Sequence, residues 1–76
     1  MPELNVREAI KDLLSNGHWY TANEIVGYLL ITHKKLLADA AITARIRDLR
    51  KPQFGGHNVP SRPRQGSTAW EYRRLS

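Results

Sequence analysis

The sequence predicts one α+β domain over residues 1–76, with three helices, a short strand after the first helix, and a C-terminal two-stranded hairpin. Apolar residues recur at helical spacing in three segments before Pro52, whereas only short extended segments follow it. A length of 76 residues leaves room for one modest core, and 41% hydrophobic with 25% charged residues is typical of a folded domain.

The first helix is predicted over about residues 5–16. Its apolar positions follow the i, i+3, i+4, i+7, i+8 spacing of one buried stripe, and they are Val6, Ala9, Ile10, Leu13 and Leu14. Asn5 is a favourable N-cap, and Glu8 stands three residues later, as in a capping box. Asn16 and Gly17 then supply a left-handed stop.

A short strand is predicted at residues 18–20, which are too few for a helix and rich in aromatic residues. The second helix is predicted over about residues 22–31 and opens with another capping box, from Thr21 to Glu24. Its apolar face consists of Ile25, Val26, Leu29 and Leu30. Gly27 weakens this helix, and we expect it to allow a close approach of another backbone.

The third helix is predicted over about residues 39–51, with Asp39 as its cap and Ile42, Ile46 and Leu49 on its buried face. Pro52, followed by Gly55 and Gly56, ends it. Residues 33–38 are ambiguous, because they can extend the second helix, form a separate turn or begin the third helix.

The hairpin is predicted over about residues 57–75, with strands near 59–62 and 69–75 joined by a basic turn. Pro60 restricts the first of these strands to the edge of a sheet. The order helix, strand, helix, helix, hairpin is that of a winged helix-turn-helix domain, in which the second and third helices form the helix-turn-helix and the hairpin is the wing.

Charge is distributed unevenly along the chain. Residues 1–44 contain four basic and five acidic side chains, a net of −1, whereas residues 45–76 contain eight basic and two acidic side chains, a net of +6. Seven of the eight basic residues in the second part are arginine, which suits bidentate contacts with phosphate and guanine. The asymmetry favours a surface that meets a polyanion. The alternative is a basic tail that only improves solubility.

The second part also carries a recognisable pattern. Residues 42–51 read ITARIRDLRK, a glycine pair follows at 55–56, Val59 comes next, and residues 70–75 read WEYRRL. This pattern resembles the small winged helix-turn-helix proteins of bacteriophages, prophages and bacteria, and the resemblance spans residues 21–75. It implies a winged helix fold and DNA binding, but it does not specify a biological role.

The chain departs from that family pattern in two places, with a longer connection at residues 34–39 and a longer corner at residues 52–54. A fainter similarity, at residues 21–25 and from Pro63 to Trp70, is to winged helix domains that bind left-handed duplexes. Those domains favour a tyrosine on the third helix, where this chain has no aromatic residue, so this alternative is disfavoured.

The outward face of the third helix is the predicted DNA-reading surface. Ala40 and Ala44 are small enough to let the helix enter the major groove, and Arg47 can reach a guanine edge. Arg50 and Lys51, near the helix end, suit phosphate contacts. The candidate DNA-contacting residues of the whole chain are Ala40, Thr43, Ala44, Arg47, Arg50, Lys51, Arg62 and Arg64. The alternative is an exposed polar face with incidental arginines.

In the hairpin, Arg62 and Arg64 flank the turn, where a wing contacts phosphates or the minor groove. The alternative is a flexible charged turn. Trp70 and Tyr72 share one strand face, and we expect both to pack in the core or to support the wing.

Several functions are disfavoured by what the sequence lacks. With no cysteine there is no disulfide or thiolate metal site, and the three histidines lie in separate segments without metal-ligand spacing. We find no catalytic constellation or phosphate-cradling loop, so we expect neither an enzyme nor a cofactor. No apolar run approaches the ~20 residues of a membrane span and no signal peptide is evident, so we expect a cytoplasmic protein that does not engage membranes.

The leading hypothesis is a double-stranded DNA-binding protein that acts as a small phage or bacterial transcriptional regulator. Two alternatives share the fold. One is a protein-interaction winged helix that modulates a host or phage protein, and the other is an excisionase-like architectural recombination factor. Fold alone does not decide among them, and the oligomeric state stays open.

Overall fold

The computed structural model describes residues 5–75, which form three α-helices and a small three-stranded antiparallel sheet. The helices are α1 (Val6–Leu14), α2 (Ala22–His33) and α3 (Asp39–Leu49), and a single 3₁₀ turn (Pro52–Phe54) follows them. The strands are β1 (Tyr20–Thr21), β2 (Ser61–Pro63) and β3 (Trp70–Tyr72). The predicted α+β class, the three helices and the C-terminal hairpin are confirmed.

β3 is the central strand, because the order in the sheet is β1-β3-β2. Tyr20 pairs with Tyr72 on one side of β3, and Arg62 pairs with Glu71 on the other. β2 is therefore an edge strand, which explains why Pro63 is tolerated within it: a proline has no N–H to donate. The sheet thus connects the segment between α1 and α2 to the C-terminal hairpin.

The first two helices begin at their predicted caps. The Asn5 side chain accepts the backbone N–H of Glu8 at 3.2 Å. At the start of α2 the capping box is complete, since Glu24 N–H donates to Thr21 Oγ1 at 3.1 Å and Thr21 N–H donates to Glu24 Oε1 at 2.9 Å. α1 ends at Leu14, before Gly17 with its φ of 85°, so it is slightly shorter than predicted.

The ambiguous segment at residues 33–38 divides at its first residue. α2 continues to His33, and Lys34 then adopts a left-handed conformation with φ of 57°. The backbone N–H groups of Lys34 and Lys35 donate to the carbonyls of Leu30 and Leu29, both at 3.1 Å. Residues 35–38 form no regular element, so a loop joins α2 to α3.

Two predictions about α3 are wrong. Ala38, not Asp39, occupies the N-cap position; Asp39 is the first helical residue, where its negative charge favours the positive end of the helix dipole. The helix also ends at Leu49 instead of residue 51. Pro52 is the cause, because a proline restricts the residue before it, and Lys51 is extended with ψ of 141°.

The core lies between the three helices and the base of the hairpin. Its nine buried hydrophobic residues are Ala9, Ile10, Leu14, Ile25, Leu29, Ile42, Ile46, Leu49 and Val59. The predicted inner face of α3 is therefore confirmed. Val59 brings the hairpin onto the helices, and Tyr20 and Tyr72 pack against the edge of the core from the sheet.

The expected close approach of another backbone to Gly27 is wrong. No atom of another element lies within 4 Å of a Cβ built on Gly27, so nothing in the described chain requires a glycine there. Tyr72 packs on the core as expected, but Trp70 is 53% exposed. Tyr72 pairs with Tyr20 beside the helices, whereas Trp70 pairs with Pro63 near the turn of the hairpin, beyond the core.

Candidate nucleic-acid interface

The outer face of α3, formed by Ala40, Thr43, Ala44 and Arg47, lies opposite its buried stripe. Ala40 and Arg47 are exposed, while Thr43 and Ala44 are half-buried. The Thr43 hydroxyl donates to the Ala40 carbonyl at 3.1 Å, so it is already satisfied within the helix. Arg47 makes no ion pair with any acidic side chain in residues 5–75. Its guanidinium therefore keeps its full capacity to donate to a ligand.

The other basic residues around the end of α3 are engaged. Asp48 pairs with Arg45 Nε at 3.2 Å and with Lys51 Nζ at 3.2 Å. The Asp48 side chain is only 16% exposed, and those of Arg45 and Lys51 are each 46% exposed. A single carboxylate thus offsets part of two positive charges. The phosphate contact predicted for Lys51 would have to share its ammonium with Asp48.

Arg50 has a structural partner that the sequence did not indicate. Its Nε and Nη2 donate to the carbonyl of Val59 at 3.0 Å and 2.7 Å. Because Val59 is buried, this carbonyl would otherwise have little access to water. Arg50 therefore fastens the end of α3 to the start of the hairpin. Its phosphate contact stays a prediction, since one edge of the guanidinium is occupied within the chain.

The two hairpin arginines converge on one carboxylate. Arg62 Nε donates to Glu71 Oε1 at 3.1 Å, and Arg64 Nε donates to Glu71 Oε2 at 2.9 Å. Arg64 Nη2 also reaches Glu24 Oε1, at 2.6 Å, at the start of α2. We call these four residues the hairpin charge cluster. It ties both strands of the hairpin to α2, so the turn arginines are held rather than free.

The pKa values of the cluster reflect this pairing. Burial works to raise the pKa of Glu71, but hydrogen bonds from Arg64 and Arg62 outweigh it and hold the pKa below its usual value. The pKa of Glu24 is lowered first by the Thr21 backbone N–H and then further by Arg64. The hydrogen bond to Glu71 and the nearby Glu24 charge raise the pKa of Arg64. All of these groups stay ionised at neutral pH.

An indole covers one side of the cluster. The guanidinium of Arg62 lies 4.1 Å from the ring centroid of Trp19, and that of Arg73 lies 4.8 Å from it. Both distances are within the range of cation–π attraction. Trp19 thereby supports two hairpin cations from the segment that precedes β1. The next side chain, that of Arg74, points elsewhere and donates to Ser15 Oγ at 2.9 Å.

A polar cleft of about 400 Å³ opens beside the cluster, lined by Arg62, Pro63, Arg64, Gln65 and Glu71. Two of its lining guanidiniums are already hydrogen-bonded to the carboxylate of Glu71, so an incoming anion would share these arginines with Glu71. Glu24, Glu71 and Trp19 were not predicted as partners of the arginines. The alternation of side chains along β3 places Glu71 on the face opposite Tyr72, and this signal could have linked Glu71 to Arg62.

Within residues 5–75, no group of three or more histidine, aspartate or glutamate side chains could hold a metal ion. Over the same residues, no helix has the length and apolar character needed to cross a membrane. No family model, curated protein or solved structure matches this chain. Its function therefore has to be inferred from the surfaces described above.

Proposed function

We propose that the chain is a winged helix-turn-helix domain that binds double-stranded DNA, with α3 in the major groove and the β2–β3 hairpin as a wing on the backbone. The outer face of α3 carries the proposal. Two alanines precede an exposed arginine that has no acidic partner in the described chain. A surface that only met solvent would gain more from long polar side chains than from alanines.

The chemistry of that face fits the edges of base pairs. Small side chains at Ala40 and Ala44 allow the helix to approach closely, and their methyl groups suit contact with thymine methyls. Arg47 is one turn further along and can donate two parallel hydrogen bonds to the O6 and N7 atoms of guanine. In this proposal Arg47 reads sequence, whereas Arg50 and Lys51 at the helix end contact phosphates.

The hairpin supports the proposal through charge. Residues 45–76 carry eight basic and two acidic side chains, a net of +6. Two of these arginines belong to the hairpin charge cluster, and a third, Arg73, lies with Arg62 against Trp19. Because Glu71 fixes the Nε edges of Arg62 and Arg64, their remaining N–H groups are oriented before DNA arrives. Contacts with phosphate from such groups add affinity but little sequence preference.

The first experiment is duplex binding by the full chain, followed by selection of bound sequences from a random duplex pool. A regulator is expected to show a steep salt dependence together with a preferred site. Salt-dependent binding without a preferred site would favour the architectural recombination factor. Absence of salt-dependent binding to any duplex would contradict the proposal.

A protein-interaction role is the second candidate, and one observation favours it. Among the described residues, Ile31 and Leu36 are 76% and 71% exposed although both are large and apolar. Neither lies on the outer face of α3 or in the hairpin. The two roles are compatible, because a DNA-binding domain can carry a separate surface for a partner.

A further inference from the structure

The end of α2 presents an apolar surface that the proposed DNA contacts do not use. Five large hydrophobic residues are exposed in the described chain, and three of them fall between residues 30 and 36: Leu30 at 44%, Ile31 at 76% and Leu36 at 71%. Gly27, Leu30 and Ile31 are spaced i, i+3, i+4 and so share one face of α2. We call Gly27, Leu30, Ile31, Lys34, Lys35 and Leu36 the α2-end surface.

Gly27 has no role within the described chain that another residue could not fill. Glycine is among the least favourable residues in the middle of a helix, and no atom lies within 4 Å of a Cβ built at this position. Alanine or glutamine would therefore be accommodated and would favour the helix. Because Gly27 has no side chain, the space above it on the face shared with Leu30 and Ile31 is open to a partner's side chain.

At Lys34 the situation is reversed, because a lysine occupies a position where glycine would be favoured. It is the one non-glycine residue with positive φ in residues 5–75, at 57°, in the position after a helix where glycine is usual. The chain thus keeps a charged side chain where glycine would relieve backbone strain. Lys34 and Lys35 are both exposed, and neither pairs with an acidic side chain of the described chain.

These three departures lie within ten residues of one another, in the second half of α2 and the loop that follows it. Isolated violations of local preference concentrate at functional sites, where a partner compensates for them. We infer that the α2-end surface docks an acidic amphipathic segment of another protein. Apolar side chains of that segment pack over Gly27 between Leu30, Ile31 and Leu36, and its carboxylates pair with Lys34 and Lys35.

Charge and polarity favour an acidic amphipathic segment over a second copy of this chain and over a DNA backbone. A two-fold contact of this surface with its own copy would place four lysines and no carboxylate in the interface, and uncompensated like charge opposes association. A DNA backbone would pair with the lysines but would gain nothing from Ile31 and Leu36. Only a ligand that is both apolar and acidic satisfies the whole surface. The inference does not rest on the proposed function.

The test is selection of displayed random 16-residue peptides on the immobilised full chain, with counter-selection on the Ile31→Asp variant. We expect the enriched peptides to combine apolar residues at helical spacing with aspartate or glutamate. A synthetic copy of an enriched peptide should bind the Ile31→Asp variant at least about tenfold more weakly than the parent, a loss of roughly 1.4 kcal/mol of binding free energy. Gln53→Asp, which adds the same charge at an exposed position in the turn after α3, is the matched control and should bind like the parent.

A second variant separates binding from folding. Gly27→Gln should raise the melting temperature because it removes a helix-weakening glycine, yet it should weaken peptide binding because it fills the space above Gly27. The inference is overturned if enriched peptides bind parent and Ile31→Asp equally, or if they lack acidic residues. It is also overturned if the parent self-associates and Ile31→Asp abolishes this, or if Ile31→Asp weakens duplex binding as much as peptide binding.

Discussion

The arginines of α3 and those of the hairpin are held in different ways. Arg47 extends from the outer face of α3 with no acidic partner in residues 5–75. Arg62 and Arg64 share the carboxylate of Glu71, and Arg64 is also bonded to Glu24. The first arrangement leaves a guanidinium available to donate along any edge, while the second fixes two guanidiniums before a ligand binds.

This difference shows why a count of basic residues does not define a binding surface. The net charge of +5 includes arginines that stabilise the fold, such as Arg50 on the Val59 carbonyl. It also includes arginines that an internal carboxylate partly neutralises. A substitution at each kind of arginine should therefore affect stability, affinity and salt dependence in different proportions.

The largest expected effect concerns the two faces of α3. Ile46 is 1% exposed in the core, so Ile46→Ala should lower the free energy of unfolding by about 2–5 kcal/mol. Its neighbour Arg47 points outward, and Arg47→Ala should change stability by less than about 0.5 kcal/mol. Chemical denaturation of both variants measures the contrast. If Ile46→Ala were as stable as the parent, Ile46 would not lie on the buried face of α3.

Arg50 should behave as a structural residue more than as a binding residue. Arg50→Ala leaves the buried carbonyl of Val59 without its two donors, which should cost about 1–3 kcal/mol in unfolding free energy. Arg45→Ala is the control, because Arg45 is a surface partner of Asp48 and should cost under about 1 kcal/mol. If both variants have the same free energy of unfolding, the hydrogen bonds from Arg50 to the Val59 carbonyl contribute nothing measurable to stability.

The hairpin arginines should govern salt dependence. Replacing both Arg62 and Arg64 with alanine should weaken binding to selected and scrambled duplexes by similar factors, and should flatten the salt slope by up to about two units. Titrations at several salt concentrations provide the measurement. Loss of site preference with an unchanged salt slope would show that the hairpin reads bases, and would reverse the division between the two regions.

The smallest effect concerns pH. The folded pKa values of Glu71 and Glu24 are lowered, so the stability they contribute is fully present above the unfolded value near ~4.3 and is lost as pH falls through the folded values. The parent should therefore lose more melting temperature between neutral and acidic pH than Glu71→Gln does. Asp12→Asn, at an exposed position of α1, is the control. If the melting temperatures of the parent and Glu71→Gln fall equally as the pH is lowered, the hairpin charge cluster does not stabilise the fold.

Local features of the fold were predictable because their causes are local. The capping box at Thr21 and Glu24 needs only four residues, and the buried stripe of α3 is set by periodicity. The end of α3 at Leu49 does not follow from periodicity, because Pro52 restricts Lys51 and so stops the helix two residues before the predicted boundary.

The partners of the arginines depend on contacts between distant segments. Arg64 and Glu24 are 40 residues apart in sequence, and Arg62 meets Trp19 across the sheet. Neither contact leaves a periodic signal, because each follows from the pairing of β1 with β3. For Trp70, strand alternation predicts a face shared with Tyr72 but does not show where the core ends.

The most direct test of the central claim compares Arg47→Ala with Arg45→Ala on one selected and one scrambled duplex. The two arginines belong to the same helix, and only Arg45 is paired with Asp48. Arg47→Ala should lose about 1–3 kcal/mol of binding on the selected duplex and less on the scrambled one, with its melting temperature unchanged. Arg45→Ala should leave the difference between the duplexes intact. If Arg47→Ala binds both duplexes as the parent does, the outer face of α3 does not read DNA.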